Sequence, residues 1–185
     1  MIDTITKIDF QILYWIQEHC KCRFLDAVMP FITHLGSYGI FWIMLGFALI
    51  LTQKYRKCGI NMLSGMLIGL IIGNMILKNA ILRERPCWID ETIPMLIAIP
   101  KDYSFPSGHT TSSVIASLVI FHEDKKLGTI ALILTCMIAF SRMYLFVHFP
   151  TDILAGAILG ATIGIITPIF IEKWAYPKFS KPKPE

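Results

Sequence analysis

Long apolar runs, broken by charged residues at only a few places, are the feature that most constrains this chain. Hydrophobic residues make up 55% of its 185 residues and charged residues 16%, whereas a soluble domain carries about 25% charged residues. Mean hydropathy is +0.60. The chain is therefore predicted to be an integral membrane protein, in which apolar runs of about 20 residues form helices that cross the bilayer.

Five apolar segments follow one another at lengths near that needed to cross a membrane, the third being short. They are Phe24–Leu51, Ile60–Leu82, Pro106–Phe121, Leu127–Phe146 and Thr151–Ile171. The first contains Gly36-Ser37-Tyr38-Gly39, which predicts a break, and Pro86 is predicted to end the second helix. We expect an all-α, polytopic membrane bundle of about five spanning helices in a single domain of residues 1–185.

The two ends of the chain differ from this core. Residues 4–19 place Ile5, Ile8, Ile12 and Trp15 at helical spacing with polar residues between them, which predicts an amphipathic helix lying in the membrane interface. A helix packed on the bundle is the alternative, and the charges near the N-terminus argue against a cleaved signal peptide. Residues 24–172 are then the transmembrane core, and residues 173–185 are a predicted cytoplasmic tail.

Two spans carry glycine at every fourth residue. In the second span these are Gly65, Gly69 and Gly73, and in the fifth they are Gly156, Gly160 and Gly164. Small residues at this spacing share one face of a helix and allow helices to approach closely in lipid. We interpret both series as packing surfaces.

Polar residues at the edges of the spans form three clusters: Lys78 to Arg85, Ser107 to His109, and Arg142 to Asp152. Because successive spans alternate in direction, all three clusters are predicted on one side of the membrane. The opposite side receives nine basic residues, Lys54, Arg56, Lys57, Lys125, Lys126, Lys173, Lys178, Lys181 and Lys183. An excess of basic residues marks the cytoplasmic side, so the clusters are expected to face outward.

The residue types in these clusters predict a phosphate site. Lys78, Arg85 and Arg142 supply positive charge, and the arginine fork matches phosphate oxygens. Ser107 and Gly108 lie at a predicted helix start, where free backbone N–H groups favour an anion. Net charge is only +4, and the basic residues at chain ends and in loops suit membrane orientation better than nucleic-acid binding.

Two histidines within a phosphate site indicate covalent catalysis. We predict that His148 attacks phosphorus, that Asp152 fixes the tautomer of His148, and that His109 protonates the leaving oxygen. No acidic cluster suits magnesium, and the five scattered cysteines predict neither a zinc site nor a disulfide framework. The reaction is therefore expected to need no metal and no cofactor.

The three clusters together resemble a known family. Lys78-(six residues)-Arg85-Pro86, Pro106-Ser107-Gly108-His109 and Ser141-Arg142-(five residues)-His148-(three residues)-Asp152 are similar to the three-part motif of the type-2 phosphatidic acid phosphatase superfamily. The resemblance implies a compact α-bundle and a metal-independent phosphatase. It also implies a phospho-His148 intermediate, His109 as the acid, and Lys78, Arg85, Ser107, Gly108 and Arg142 as phosphate ligands.

The motifs address the phosphate group, so several lipid substrates stay open. The outward site and small size resemble bacterial enzymes that dephosphorylate undecaprenyl diphosphate, which makes this lipid the leading expectation. The protein is then expected to lie in the plasma membrane. A phosphatidylglycerophosphate or phosphatidate phosphatase is the second alternative, and a lipid A phosphatase or transferase is the third. A different class of protein is also possible from the cations alone: a membrane protein that binds a lipid phosphate without catalysis. Such a protein would not need His109, His148 and Asp152, so their presence argues against it.

Overall fold

The computed structural model describes residues 2–174, and every regular element within that range is helical. The predicted all-α class is confirmed. The helices are α1 (Ile2–His19), α2 (Arg23–Leu35), α3 (Ile40–Leu51), α4 (Arg56–Gly69), α5 (Lys78–Ile81), α6 (Pro86–Ile89), α7 (Gly108–Glu123), α8 (Lys125–Tyr144) and α9 (Pro150–Trp174). A 3-10 turn (Ser37–Gly39) and a π-helix (Leu70–Leu77) complete them. The predicted tail lies outside the described residues from position 175 onward.

The number of spanning helices is only partly that expected. Within the described residues, three helical segments are long and apolar enough to cross a membrane: Arg56–Ile89, Lys125–Tyr144 and Pro150–Ile171. The pair α2 and α3, bent by 41°, would make a fourth. The bend lies at the predicted glycine break, where Gly39 has φ 67°. A count of five is not confirmed, because α7 has only 16 residues.

The second apolar segment ends earlier than predicted. Its helix continues from α4 through the π-helix into α5 and stops at Ile81, where Leu82 adopts φ 50°. Pro86 therefore does not end this helix. It opens α6 at the first helical position, where the fixed φ of proline is favourable and its missing N–H costs nothing. Residues 82–85 form an irregular, partly extended segment that carries Arg83 and Arg85.

Helix α7 lies at the centre of the bundle and packs against α4, α8 and α9. A methyl group on Gly69, the last residue of α4, would lie 2.6 Å from Ile115 Cδ1, and one on Gly156 would lie 2.7 Å from the carbonyl oxygen of Ser107. Glycine at these positions allows the close approach, as the sequence predicted. The start of α7 is thereby held against α9, and the Ser107 amide donates to the Asp152 carbonyl at 3.1 Å.

Helix α1 packs on the bundle through one face and leaves the other exposed. Leu13 and Ile16 are buried, whereas Ile8 and Trp15 are about half exposed. The packed placement, which was the alternative interpretation, is therefore present in the structure. The exposed apolar face is compatible with a membrane interface, and that location stays a prediction.

Candidate active site

The three polar clusters converge on one cavity of about 1070 Å³. Six of the eight predicted site residues line it: Lys78, Arg85, Gly108, His109, Arg142 and His148. The other two, Ser107 and Asp152, are fully buried behind the lining. The side chain of Ser107 caps α7 by accepting a hydrogen bond from the Thr110 amide. Its direct contact with a phosphate stays a prediction, whereas its role at the helix start is visible.

Donor atoms are concentrated in the cavity wall. Arg142, in the last turn of α8, donates from Nη1 to Thr33 Oγ1 at 2.6 Å. The Nε atom of Arg142 and the Nε2 atom of His109 are buried without a hydrogen-bond partner in the described part of the chain. Buried polar atoms are normally paired. These two nitrogens are therefore well suited to bind an oxygen-rich anion.

Hydrogen bonding assigns the tautomer of His148. Its Nε2 atom lies 3.1 Å from Arg85 Nη1, and arginine can only donate. Nε2 must accordingly accept, which places the ring proton on Nδ1, 3.5 Å from Asp152 Oδ2. Burial, together with the charges of Arg85 and Arg142, holds the pKa of His148 well below its usual value. The ring in the loop between α8 and α9 is thus neutral, with a lone pair on Nε2.

Asp152 is surrounded by donors. Its Oδ2 atom accepts from the Phe149 amide at 2.9 Å and from the Ser104 hydroxyl. Its Oδ1 atom accepts from Arg83 Nη1 at 2.7 Å. A buried carboxylate is costly unless it is paired and fully hydrogen-bonded. These partners supply the hydrogen bonds that a buried carboxylate needs at this position beside His148.

Arg83 links this pair to the N-terminal helix. Its Nη2 atom donates to Asp9 Oδ2 at 2.7 Å, across 74 residues of sequence, and its guanidinium lies 4.1 Å from the centre of the Phe149 ring. Sequence reasoning missed this role, and it leaves two interpretations of the neighbouring Glu84: a pair with Arg83, or a position outside the pocket. Glu84 is exposed and lies outside the cavity. The available signal was Asp9, which shares a helical face with Leu13 and Ile16.

Asp102 was also missed, and it contacts two of the predicted phosphate ligands. Its carboxylate accepts from Lys78 Nζ and from Arg85 Nη2, the latter at 2.8 Å. Burial alone would raise the pKa of Asp102, but Lys78 and Arg85 outweigh it and hold the pKa at about 2. The sequence placed Asp102 in a polar connection with no periodic pattern, so nothing indicated where its side chain would lie.

Within residues 2–174, no group of three or more His, Cys, Asp or Glu side chains is placed to hold a metal ion. Positive charge at the cavity comes from Lys78, Arg85 and Arg142, with Lys101 also among the lining residues. Metal-independent hydrolysis stays a prediction, which the chelator experiment below tests.

Comparison with known sequences agrees with this geometry. A sequence model of the PAP2 superfamily matches residues 58–176, a range that contains all eight predicted site residues. The chain belongs to the PAP2 superfamily. The resemblance inferred from the three motifs is thereby confirmed at the level of the family.

Relatives of this PAP2 protein are lipid phosphatases. An undecaprenyl-diphosphatase of Sulfolobus acidocaldarius is 28% identical over 84% of this chain and 75% of its own length. Phosphatidylglycerophosphatase B of Bacillus subtilis is 32% identical over 80% of this chain and 76% of its own. The crystal structure of a transmembrane PAP2-type phosphatidylglycerolphosphate phosphatase from Bacillus subtilis superposes with a TM-score of 0.76 at 26% identity, covering 92% of this chain and 88% of that one. This PAP2 protein is a multi-pass membrane protein and a lipid phosphatase.

Proposed function

We propose that this protein hydrolyses undecaprenyl diphosphate to undecaprenyl phosphate and orthophosphate at the outer leaflet of the plasma membrane. The observation that carries the proposal is the shape and chemistry of the cavity. Cations and histidines line one part of it. Apolar side chains of α3, of α4 and of the π-helix line another part, including Ile43, Phe47, Leu67 and Leu70. A phosphate bound by the cations would leave a lipid chain beside this apolar wall.

The proposed chemistry proceeds in two displacements. His109 enters the reaction as the imidazolium, a form that the negative charge of the bound diphosphate stabilises. The lone pair of His148 Nε2 leaves the Arg85 N–H and forms a bond to the terminal phosphorus, the bond to the bridging oxygen breaks, and His109 gives that oxygen its proton. Water then attacks the phospho-His148 group, His109 takes a proton from the water, and orthophosphate leaves with His148 restored. Lys78, Arg85 and Arg142 neutralise charge on the equatorial oxygens, while Asp152 keeps the proton of His148 on Nδ1.

A phosphatidylglycerophosphate phosphatase is the second candidate. Phosphatidylglycerophosphatase B of Bacillus subtilis, 32% identical to this chain, and the superposed crystal structure carry that activity in their names. The two candidates share the phosphate chemistry and differ in the leaving group and the lipid. The undecaprenyl substrate leads because of the undecaprenyl-diphosphatase relative, together with the predicted outward site.

Phosphate release from a panel of lipids tests the activity and its need for metal. The purified protein is assayed in detergent micelles with undecaprenyl diphosphate, phosphatidylglycerophosphate and phosphatidate, each with and without excess EDTA. We expect the highest kcat/KM for undecaprenyl diphosphate, and unchanged rates with EDTA because the cations at the cavity are side chains. Preference for phosphatidylglycerophosphate would select the second candidate, and loss of activity with EDTA would contradict the metal-free mechanism.

The orientation in the membrane is predicted from the two loops that lie far from the cavity's cations. The loop between α3 and α4 meets the loop between α7 and α8, where the Tyr55 hydroxyl donates to Asp124 Oδ2 at 3.3 Å. Lys54, Arg56 and Lys126 lie in or next to these two loops. These loops lie at the ends of α3, α4, α7 and α8 remote from the cavity's cations. Their basic residues predict the cytoplasmic side.

Cysteine labelling in intact cells reads this orientation directly. Cys22 is exposed, and its amide donates to Tyr144 Oη at the active-site end of α8. A membrane-impermeant maleimide is expected to label the wild type more than Cys22→Ser. Lys126→Cys should add label only after the membrane is permeabilised. The reverse pattern would place the active site in the cytoplasm.

A further inference from the structure

All five N–H groups of Arg85 are already used within the protein. Nε donates to the Asp102 carbonyl at 2.7 Å, and Nη1 donates to the Val147 carbonyl at 2.6 Å and faces His148 Nε2. Nη2 donates to the Asp102 carboxylate at 2.8 Å and to the Tyr103 carbonyl at 3.3 Å. A guanidinium carries five N–H donors. Arg85 therefore has none to spare for a phosphate in this arrangement.

Only one of these acceptors is easily displaced. Three are backbone carbonyls, and the fourth is Nε2 of the fully buried His148 ring, which gives up the Arg85 N–H only when it attacks phosphorus. The fifth is the side chain of Asp102, which is 58% exposed and also holds Lys78 Nζ. A carboxylate that bridges two cations presents two oxygens to them, as a phosphate would.

Hydrogen bonds hold the backbone on both sides of Asp102. A rotation of the Asp102 side chain would therefore release Lys78 and Arg85 without a movement of the backbone. On one side the Trp88 indole donates to the Pro100 carbonyl at 3.1 Å. On the other the Ser104 amide donates to the Arg83 carbonyl at 2.8 Å. The contacts from Arg85 to the carbonyls of Asp102 and Tyr103 can remain while the carboxylate turns outward. The change needed to admit a ligand is thus local.

We propose that the Asp102 carboxylate occupies the position of two phosphate oxygens in the free enzyme and is a tethered competitor that every phosphate ligand must displace. This inference rests on the proposed phosphate chemistry of the site and adds a specificity-determining residue to it. The low pKa of Asp102 keeps the competitor charged across the physiological range.

The competitor affects substrate and product differently. A lipid substrate gains binding free energy from the apolar wall of the cavity and from its concentration in the membrane. This gain can offset the free-energy cost of displacing the Asp102 carboxylate from Lys78 and Arg85. Orthophosphate makes only the polar contacts and bears the penalty in full. Asp102 thus selects against small free anions and favours release of the orthophosphate product.

Orthophosphate affinity of charge-removing variants tests the proposal. The binding-competent fraction of sites limits apparent affinity, so Asp102→Asn and Asp102→Ala should both bind orthophosphate about ten-fold more tightly than wild type. Binding is measured by titration calorimetry on the purified full chain, with a melting curve to verify folding. Glu84→Gln is the matched control, because it removes the same charge beside Arg85 without breaking a described bond of Lys78 or Arg85.

Every outcome of these titrations either supports or overturns the role of Asp102 as a tethered competitor. Tighter binding in both Asp102 variants, with Glu84→Gln within about two-fold of wild type, supports the tethered competitor. Equal or weaker binding in either folded Asp102 variant overturns it and shows that Asp102 only positions the cations. An equal gain in Glu84→Gln also overturns it, since net charge would then suffice. Because calorimetry needs no turnover, a protein that binds orthophosphate but hydrolyses no lipid refutes the proposed function separately.

Discussion

His148→Ala is expected to lower kcat for lipid phosphate hydrolysis by at least about 10⁴-fold, because the substitution removes the proposed nucleophile. The neutral ring offers a lone pair on Nε2 at the wall of the phosphate cavity, and alanine has no group to replace it. Water would have to attack phosphorus directly, with the cations providing the remaining rate enhancement. The measurement is steady-state release of orthophosphate from undecaprenyl diphosphate.

Orthophosphate binding distinguishes lost chemistry from a damaged site. His148→Ala removes one acceptor from Arg85, so its affinity for orthophosphate should be equal to or greater than that of wild type. His19→Ala is the control, because His19 stacks on Trp15 at the end of α1 and lies outside the cavity. Activity of His148→Ala within about ten-fold of wild type would contradict the assignment of the nucleophile.

Asp152→Asn is expected to lower kcat by about 10³-fold or more, although the two side chains have nearly the same shape. Oδ1 accepts from Arg83, so the amide nitrogen of asparagine would be repelled there. At the Oδ2 position the nitrogen would oppose only the neutral Phe149 amide, whereas at Oδ1 it would oppose a charged guanidinium. It would therefore lie at the Oδ2 position, face His148 Nδ1 and donate to it, which moves the ring proton to Nε2. In that tautomer Nε2 carries the proton, so it has no lone pair to direct at phosphorus. Its N–H group would also face the N–H group of Arg85, one donor against another.

Binding again provides the second measurement for Asp152→Asn. The residue lies behind the cavity lining, so orthophosphate affinity should change by no more than about three-fold while kcat falls. Asp26→Asn is the control: Asp26 accepts from the Tyr144 hydroxyl at 2.7 Å and lies outside the lining. Equal losses of kcat and of orthophosphate affinity in Asp152→Asn would show a general collapse of the site instead of a tautomer effect.

Periodic patterns accounted for most of the helices and for the convergence of the site. Glycine every fourth residue predicted the close packing of the second and fifth spans, now seen as contacts of Gly69 and Gly156 with α7. Alternation of spans brought Lys78, His109 and His148 to one side. Such features depend on local sequence and on chain direction, which can be read without coordinates.

Features that depend on irregular backbone were not predictable. Helix α5 stops at Ile81 because Leu82 takes a left-handed conformation, which is unusual for leucine. Asp102 reaches Lys78 and Arg85 from a loop without periodicity, and Arg83 pairs with Asp9 from a helix 74 residues away. Pairings of this kind are selected by tertiary packing, whereas Glu84, the acid next to Arg83 in sequence, lies outside the cavity.

Direct detection of a phosphorylated His148 tests the central claim. The wild type is mixed with undecaprenyl diphosphate labelled in its terminal phosphate and quenched in alkali within the first turnover, and the peptides are mapped. We predict a label on His148 that is stable to alkali and lost in acid, and no labelled protein from His148→Ala. A label on another residue, or complete single-turnover hydrolysis with no labelled protein at any time, would contradict the account.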